Sequence, residues 1–165
     1  MYHATKAEYA KNIAKYGFSF DHLHETDPGM LGRGVYVSRD FTKVLVYGPV
    51  VLELFVYTGK TIRIDFRGHP RQKNWQIDYD SAWVPPYNTM VNSGKEETCV
   101  RSPNQIKVIG VVRGMKLLDD DTKKLIRNVD REKALKDLVE EQGFVYGKHL
   151  LFSYFAISTT ISYAI

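Results

Sequence analysis

Apolar residues recur along the chain at two spacings, two apart and three to four apart, and the changes between them mark out its elements. Tyr2 to Ala4 reads as a short strand running into a helix. Thr5 and Glu8 stand at capping-box spacing, Tyr9, Ile13 and Tyr16 share a face, and Gly17 ends the helix. A polar loop from Phe18 to Pro28 carries His22, His24 and Asp27. The glycine-rich turn Gly29-Met30-Leu31-Gly32-Arg33-Gly34 then leads into the strand Val35-Tyr36-Val37. Asp40 is placed to cap a second helix that ends at Gly48-Pro49. Val50 to Tyr57 is strongly strand-like, and a turn at Gly59-Lys60 leads to Thr61 to Asp65, where Ile62 and Ile64 share one face and Arg63 takes the other.

Phe66 to Gly94 shows no clear period, and a loop of that length is expected to pack through Trp75, Tyr79 and Trp83 or to line a site. Strand character returns at Glu97 to Val100 and at Gln105 to Val112. Asp119-Asp120-Asp121 opens a helical stretch that ends at Gly143. Its two apolar stripes (Leu125, Ile126 and Val129, then Leu135, Leu138 and Val139) are rotated against each other, which predicts a break at Asp130.

Composition sets the scale. The chain has 165 residues, 44% of them hydrophobic and 13% aromatic, enough to build one well-cored domain and too many to stay disordered. A lone cysteine, Cys99, excludes an intrachain disulfide and points to a reducing compartment, the cytoplasm or nucleus. The first residues pass straight into helix-forming sequence, so no secretory leader is expected. The net charge is +4, and because basic and acidic residues balance from Met115 to Lys148 the excess belongs to 1–114. That bias favours a phosphate-bearing ligand but is too mild for a nucleic-acid stripe. Leu150 to Ile165 carries no charge, yet it is shorter than the roughly 20 apolar residues of a membrane helix and is rich in hydroxyls. The chain thus divides into a domain at 1–114, an amphipathic helical extension at 115–148 and an uncharged apolar tail at 149–165.

Three separated pieces carry the candidate chemistry: Tyr2-His3-Ala4-Thr5; Gly32-Arg33-Gly34-Val35-Tyr36 with Lys43 and Tyr47; and Glu97-Thr98-Cys99-Val100. Singly each has an ordinary account, with His3 structural, Tyr36 a packing residue and Glu96-Glu97 a solvated pair. Adjacent strand residues face opposite ways, so at most one of those two glutamates enters a cleft. His22 and His24 lack a completing ligand set, so no metal site is expected. Asp119 to Asp121 suit a helix start, and Cys99 a quiet core thiol.

Taken in order, the pieces resemble the catalytic domain of the poly(ADP-ribose) polymerase family, which places a His after its first strand, a Tyr in a Gly-x-Gly-(Ile/Val)-Tyr strand and a Glu on a late strand. Lys43 and Tyr47 stand seven and eleven residues after Tyr36, as in that family, and Val100, Gln105 and Ile106 also fall at its offsets from Glu97. The likeness spans Met1 to about Val112. Tyr79 to Pro86 and Ser93 to Glu97 look closest to the small virus-induced fish proteins of the grass carp reovirus-induced gene family.

The resemblance implies an α+β fold of the ADP-ribosyltransferase type, with two packed, mainly antiparallel sheets and flanking helices. It implies an enzyme that takes NAD+ as substrate, releases nicotinamide and passes ADP-ribose to a protein or nucleic-acid acceptor, in an antiviral response. By the same resemblance Glu97, His3 and Tyr36 are catalytic. His3 and Thr5 bind the adenosine ribose, the Ala4 backbone the nicotinamide amide, Arg33 the pyrophosphate, and Tyr36 and Tyr47 sandwich the nicotinamide ring beside Lys43. The family usually has Gly where Ala4 stands and commonly Ser where Val44 stands. A relative that binds NAD+ or ADP-ribose without turnover, and an RNA 2′-phosphotransferase, are the alternatives. Glu97→Ala is expected to lose transfer and Glu96→Ala to keep it near normal.

Overall fold

The computed structural model describes residues 1–19, 29–88 and 90–143; His22, His24, Asp27 and the 149–165 tail lie outside the described residues. In chain order the elements are β1 (Tyr2–Thr5), α1 (Ala7–Tyr16), β2 (Val35–Val37), α2 (Phe41–Val44), β3 (Val50–Val56), β4 (Thr61–Arg63), β5 (Ser81–Val84), β6 (Glu97–Val100), β7 (Ile106–Arg113), α3 (Asp120–Arg127) and α4 (Arg131–Glu141). The class is α+β, with two mainly antiparallel sheets and flanking helices. One sheet runs β1-β3-β7 and the other β2-β6-β5-β4, and among the described residues only the β4–β5 pairing is parallel.

Side-chain alternation explains how the sheets meet. Val35, Val37 and Val100 present one face of the second sheet to Val50, Leu52 and Leu54 of the first, and all six are buried in one cluster. Fully burying each such side chain contributes about 1.5–3 kcal/mol before entropy is counted. Ala10 of α1 and Ile126 of α3 close the same cluster. The opposite face of the second sheet, with Ala82, Val84 and Cys99, is covered by Leu31, Trp75 and Met90, and the Trp75 indole donates to the Leu31 carbonyl at 2.6 Å.

The two C-terminal helices begin where their caps predict. Asp119 accepts from the Thr122 N–H and Asp130 from the Lys133 N–H, so the break falls between two locally specified helix starts. Both helices pack on β7, the edge strand of the first sheet. Among the described residues, no helix is long and apolar enough to cross a membrane.

Three local expectations are corrected. Thr5 is drawn into β1, paired with Val50, so α1 starts after an extended Lys6 with no side-chain cap and the Thr5–Glu8 box does not form. Tyr9 and Tyr16 turn outward, and only Ile13 of that face packs on the core. The aperiodic stretch 66–94 contains a one-turn 3-10 helix at Trp75–Ile77 and the interior strand β5.

Candidate functional site

The two sheets touch edge to edge at one point. Tyr2 of β1 and Ser38, just after β2, exchange backbone hydrogen bonds at 2.7 and 3.0 Å. Pairing stops there. The His3 ring takes over, its Nδ1 2.9 Å from the Tyr36 carbonyl oxygen. In an antiparallel ladder the N–H and C=O of one residue point to the same side and alternate along the strand. Tyr2 bonds Ser38 on the outer side, so the Ala4 N–H and C=O also face outward, on the open edge of β1. A donor and an acceptor thus stand side by side in the gap between the sheets, a pattern complementary to a carboxamide.

A cavity of about 1600 Å³ occupies this gap. Its walls include every site residue that the sequence suggested: His3, Ala4, Thr5, Arg33, Tyr36, Lys43, Tyr47 and Glu97. Ordinary small-molecule pockets hold roughly 300–1,000 Å³, so this one suits an extended ligand. Among its described lining residues the charges are uneven, with Lys6, Arg33, Lys43, Arg67 and Lys95 against the single carboxylate Glu97. Such a wall favours a polyanion carrying one local positive charge.

Glu97 opens β6, on the face that also carries Cys99 and opposes Tyr36. Its Oε2 lies 2.8 Å from Lys43 Nζ, with the two side chains 10% and 6% exposed. Burial alone would lower the Lys43 pKa, but the Glu97 carboxylate, with Tyr47 adding, outweighs it and raises the pKa above the usual lysine value. Lys43 sits on α2, a single turn too short to persist unaided, and Asp40 caps that turn by accepting from Thr42 N–H at 2.7 Å and Lys43 N–H at 3.2 Å. Glu96 takes the other face. It is not solvated, because Ser38, Arg39 and Trp83 all donate to its carboxylate.

Tyr36 offers its ring and not its proton. The hydroxyl donates to the Gly32 carbonyl at 2.7 Å and accepts from the Leu31 N–H at 2.9 Å, which fastens it to the glycine-rich turn. Burial, reinforced by the adjacent Cys99 thiol and Glu97 and opposed by the Leu31 bond, pushes the phenol far above its ordinary value, so it stays protonated. Cys99 is likewise held as a thiol, mainly by burial. Gly34 has to be glycine here, because a Cβ would strike the Cys99 sulfur and the Val100 carbonyl. Tyr47 follows α2 and is 57% exposed, with Lys43 Nζ 5.6 Å from its ring centre.

Ala4 and Val44 form one small buried cluster with Val51. Ala4 lies in a regular strand, and among the described residues only Tyr87 is a non-glycine with positive φ. A methyl group is therefore tolerated at Ala4 without backbone strain. Val44, also in the cavity wall, leaves that corner apolar where a serine would supply a hydroxyl.

His3 is held neutral. Burial lowers its pKa, and the bond to the Tyr36 carbonyl opposes this only in part. A carbonyl only accepts, so Nδ1 carries the hydrogen and Nε2 keeps a lone pair. A histidine with a depressed folded pKa contributes stability above the unfolded value of about 6.5, and that stability is lost as pH falls. In urea melts at pH 7.5 and 5.0, the wild-type chain is expected to lose more stability than His3→Gln. Equal losses would mean that His3 is not buried neutral.

The sequence did not signal Glu96 as buried, nor Tyr9 and Tyr16 as exposed parts of the cavity wall, since the first depends on which strand face and the others on which helix face meets a neighbour. No family model matches this chain, and no curated protein matches it.

Proposed function

We propose that the chain is an NAD+-dependent ADP-ribosyltransferase of the ADP-ribosyltransferase fold, acting on a macromolecular acceptor in the cytoplasm or nucleus. One observation carries this reading. His3, Tyr36, Lys43, Tyr47 and Glu97 come from three distant stretches of sequence and line one cavity with a cationic wall. The resemblance to poly(ADP-ribose) polymerases supplies the reaction, and the residue chemistry agrees with it.

NAD+ is a doubly phosphorylated anion with one cationic ring, the charge pattern that the cavity wall complements. The Ala4 N–H and C=O hold the carboxamide, and the rings of Tyr36 and Tyr47 flank the nicotinamide, an aromatic contact worth roughly 0.5–1.5 kcal/mol per pair. His3 Nε2 accepts from a ribose hydroxyl, and Arg33 meets the pyrophosphate. The bond from the ribose anomeric carbon to the ring nitrogen breaks, and its electron pair leaves with neutral nicotinamide. The positive charge left on the sugar resembles the transition state of glycoside cleavage, and the Glu97 carboxylate stabilises it. An acceptor nucleophile then bonds to that carbon, and its proton passes to solvent.

Two features favour a second reading, a protein that binds NAD+ or ADP-ribose without turnover. Lys43 already engages one Glu97 oxygen, and Val44 supplies no hydroxyl. Calorimetric titration with NAD+, alongside chromatography of released nicotinamide, separates the two. Binding with release is expected; binding without release supports the second reading, and absence of both defeats each of them.

A further inference from the structure

We infer that Glu96 is a positioning residue for Glu97, holding from its start the same short segment that Lys43 anchors at its end. The inference deepens the transferase reading and rests on it for its catalytic consequence.

The geometry forms a closed loop. Glu96 Oε1 accepts from Ser38 Oγ at 3.1 Å and from the Arg39 backbone N–H. Glu96 Oε2 accepts from Trp83 Nε1 at 2.8 Å and from the Arg39 guanidinium at 3.2 Å. Ser38 Oγ also lies 3.0 Å from the Glu96 carbonyl oxygen and 3.0 Å from the Asp40 N–H, whose side chain caps α2. From α2, Lys43 returns to Glu97, the residue next to Glu96. Adjacent carboxylates on opposite strand faces thus grip residues 38 to 43 at both ends. The Ser38 backbone is in turn tied to Tyr2, beside His3, so the loop spans both sheets.

A four-residue helix cannot set its own position. Four donors converging on a buried carboxylate can, because leaving any of them unpaired costs free energy. Glutamine is not neutral at this place. Whichever way its amide turns, the NH2 group meets a donor, since both carboxylate oxygens already accept. The near-normal transfer expected of Glu96→Ala on sequence grounds is accordingly withdrawn.

The test uses the full chain with Glu96→Gln. Two quantities are read: kcat and KM for nicotinamide release from NAD+, and the Lys43 titration followed by NMR of its ε-methylene group. The expected result is a fall in kcat of about tenfold or more with KM within roughly twofold, and a Lys43 titration moved back toward the ordinary lysine value. An unchanged Lys43 titration overturns the inference, whatever happens to kcat, because any loss would then trace to general destabilisation. If the wild-type chain releases no nicotinamide, the transferase reading fails, while the Lys43 titration still decides whether Glu96 sets the pair. Should Glu96→Gln not fold, Trp83→Phe removes a single donor and is expected to shift both readouts the same way by about two- to threefold. No shift in that variant also overturns the inference.

Discussion

Glu97→Gln is expected to lower nicotinamide release from NAD+ by about two orders of magnitude or more, while NAD+ affinity stays within a few fold. The substitution keeps the length of the side chain and one oxygen for Lys43, removes the negative charge and puts an NH2 group in place of the other oxygen. Removing a preorganised electrostatic group that acts where charge develops costs about 10²–10³ in rate, whereas the ground state feels it weakly. Release measured with labelled NAD+ gives the first quantity and calorimetry the second, both below the unfolding transition of the variant. Unchanged release would remove Glu97 from the reaction. A parallel collapse of affinity would assign it to binding instead.

The fold was legible wherever the signal is local. The start of α3 at Asp119 and of α4 at Asp130 is written in caps that act within three residues, and the structure places both helices there. The chain reversal at Gly17 is equally local, with φ near +80° and its N–H bonded to Ile13. Strand β5 was not legible. Ser81, Ala82 and Val84 are buried on both faces of the sheet, which erases the alternation that marks a half-exposed strand, and its residues pair with partners 20 positions earlier and 13 to 19 positions later. Thr5 shows the same limit in miniature. Its capping spacing is real, but the ladder with Val50 claims its backbone first. At the site the residue types and their order could be read, since each stands near a turn or strand start. What could not be read is the company they keep. The burial of Glu96 depends on Trp83, a residue of the strand that the pattern hid.

The second large effect concerns stability, and it separates what holds the cavity together from what the cavity is for. Lys43→Met and Glu97→Leu are each expected to cost about 2–3 kcal/mol in urea unfolding, because either change strands a buried charge. The double variant is expected to lose almost nothing relative to wild type, which makes the coupling roughly 4–6 kcal/mol, the sum of the two single losses. The pH dependence has a definite sign. A lysine whose folded pKa is raised contributes stability that is complete below the unfolded value of about 10.4 and is lost as pH rises through the folded one. Wild type should therefore lose stability above about pH 10 more steeply than the double variant. Additive single losses would show that water in the cavity already screens the two groups from each other. Under the expected outcome, an apolar pair at positions 43 and 97 serves folding as well as the charged pair does. The charges are then explained by what they do to a ligand in the gap between the sheets, and the double variant is predicted to be folded and inactive.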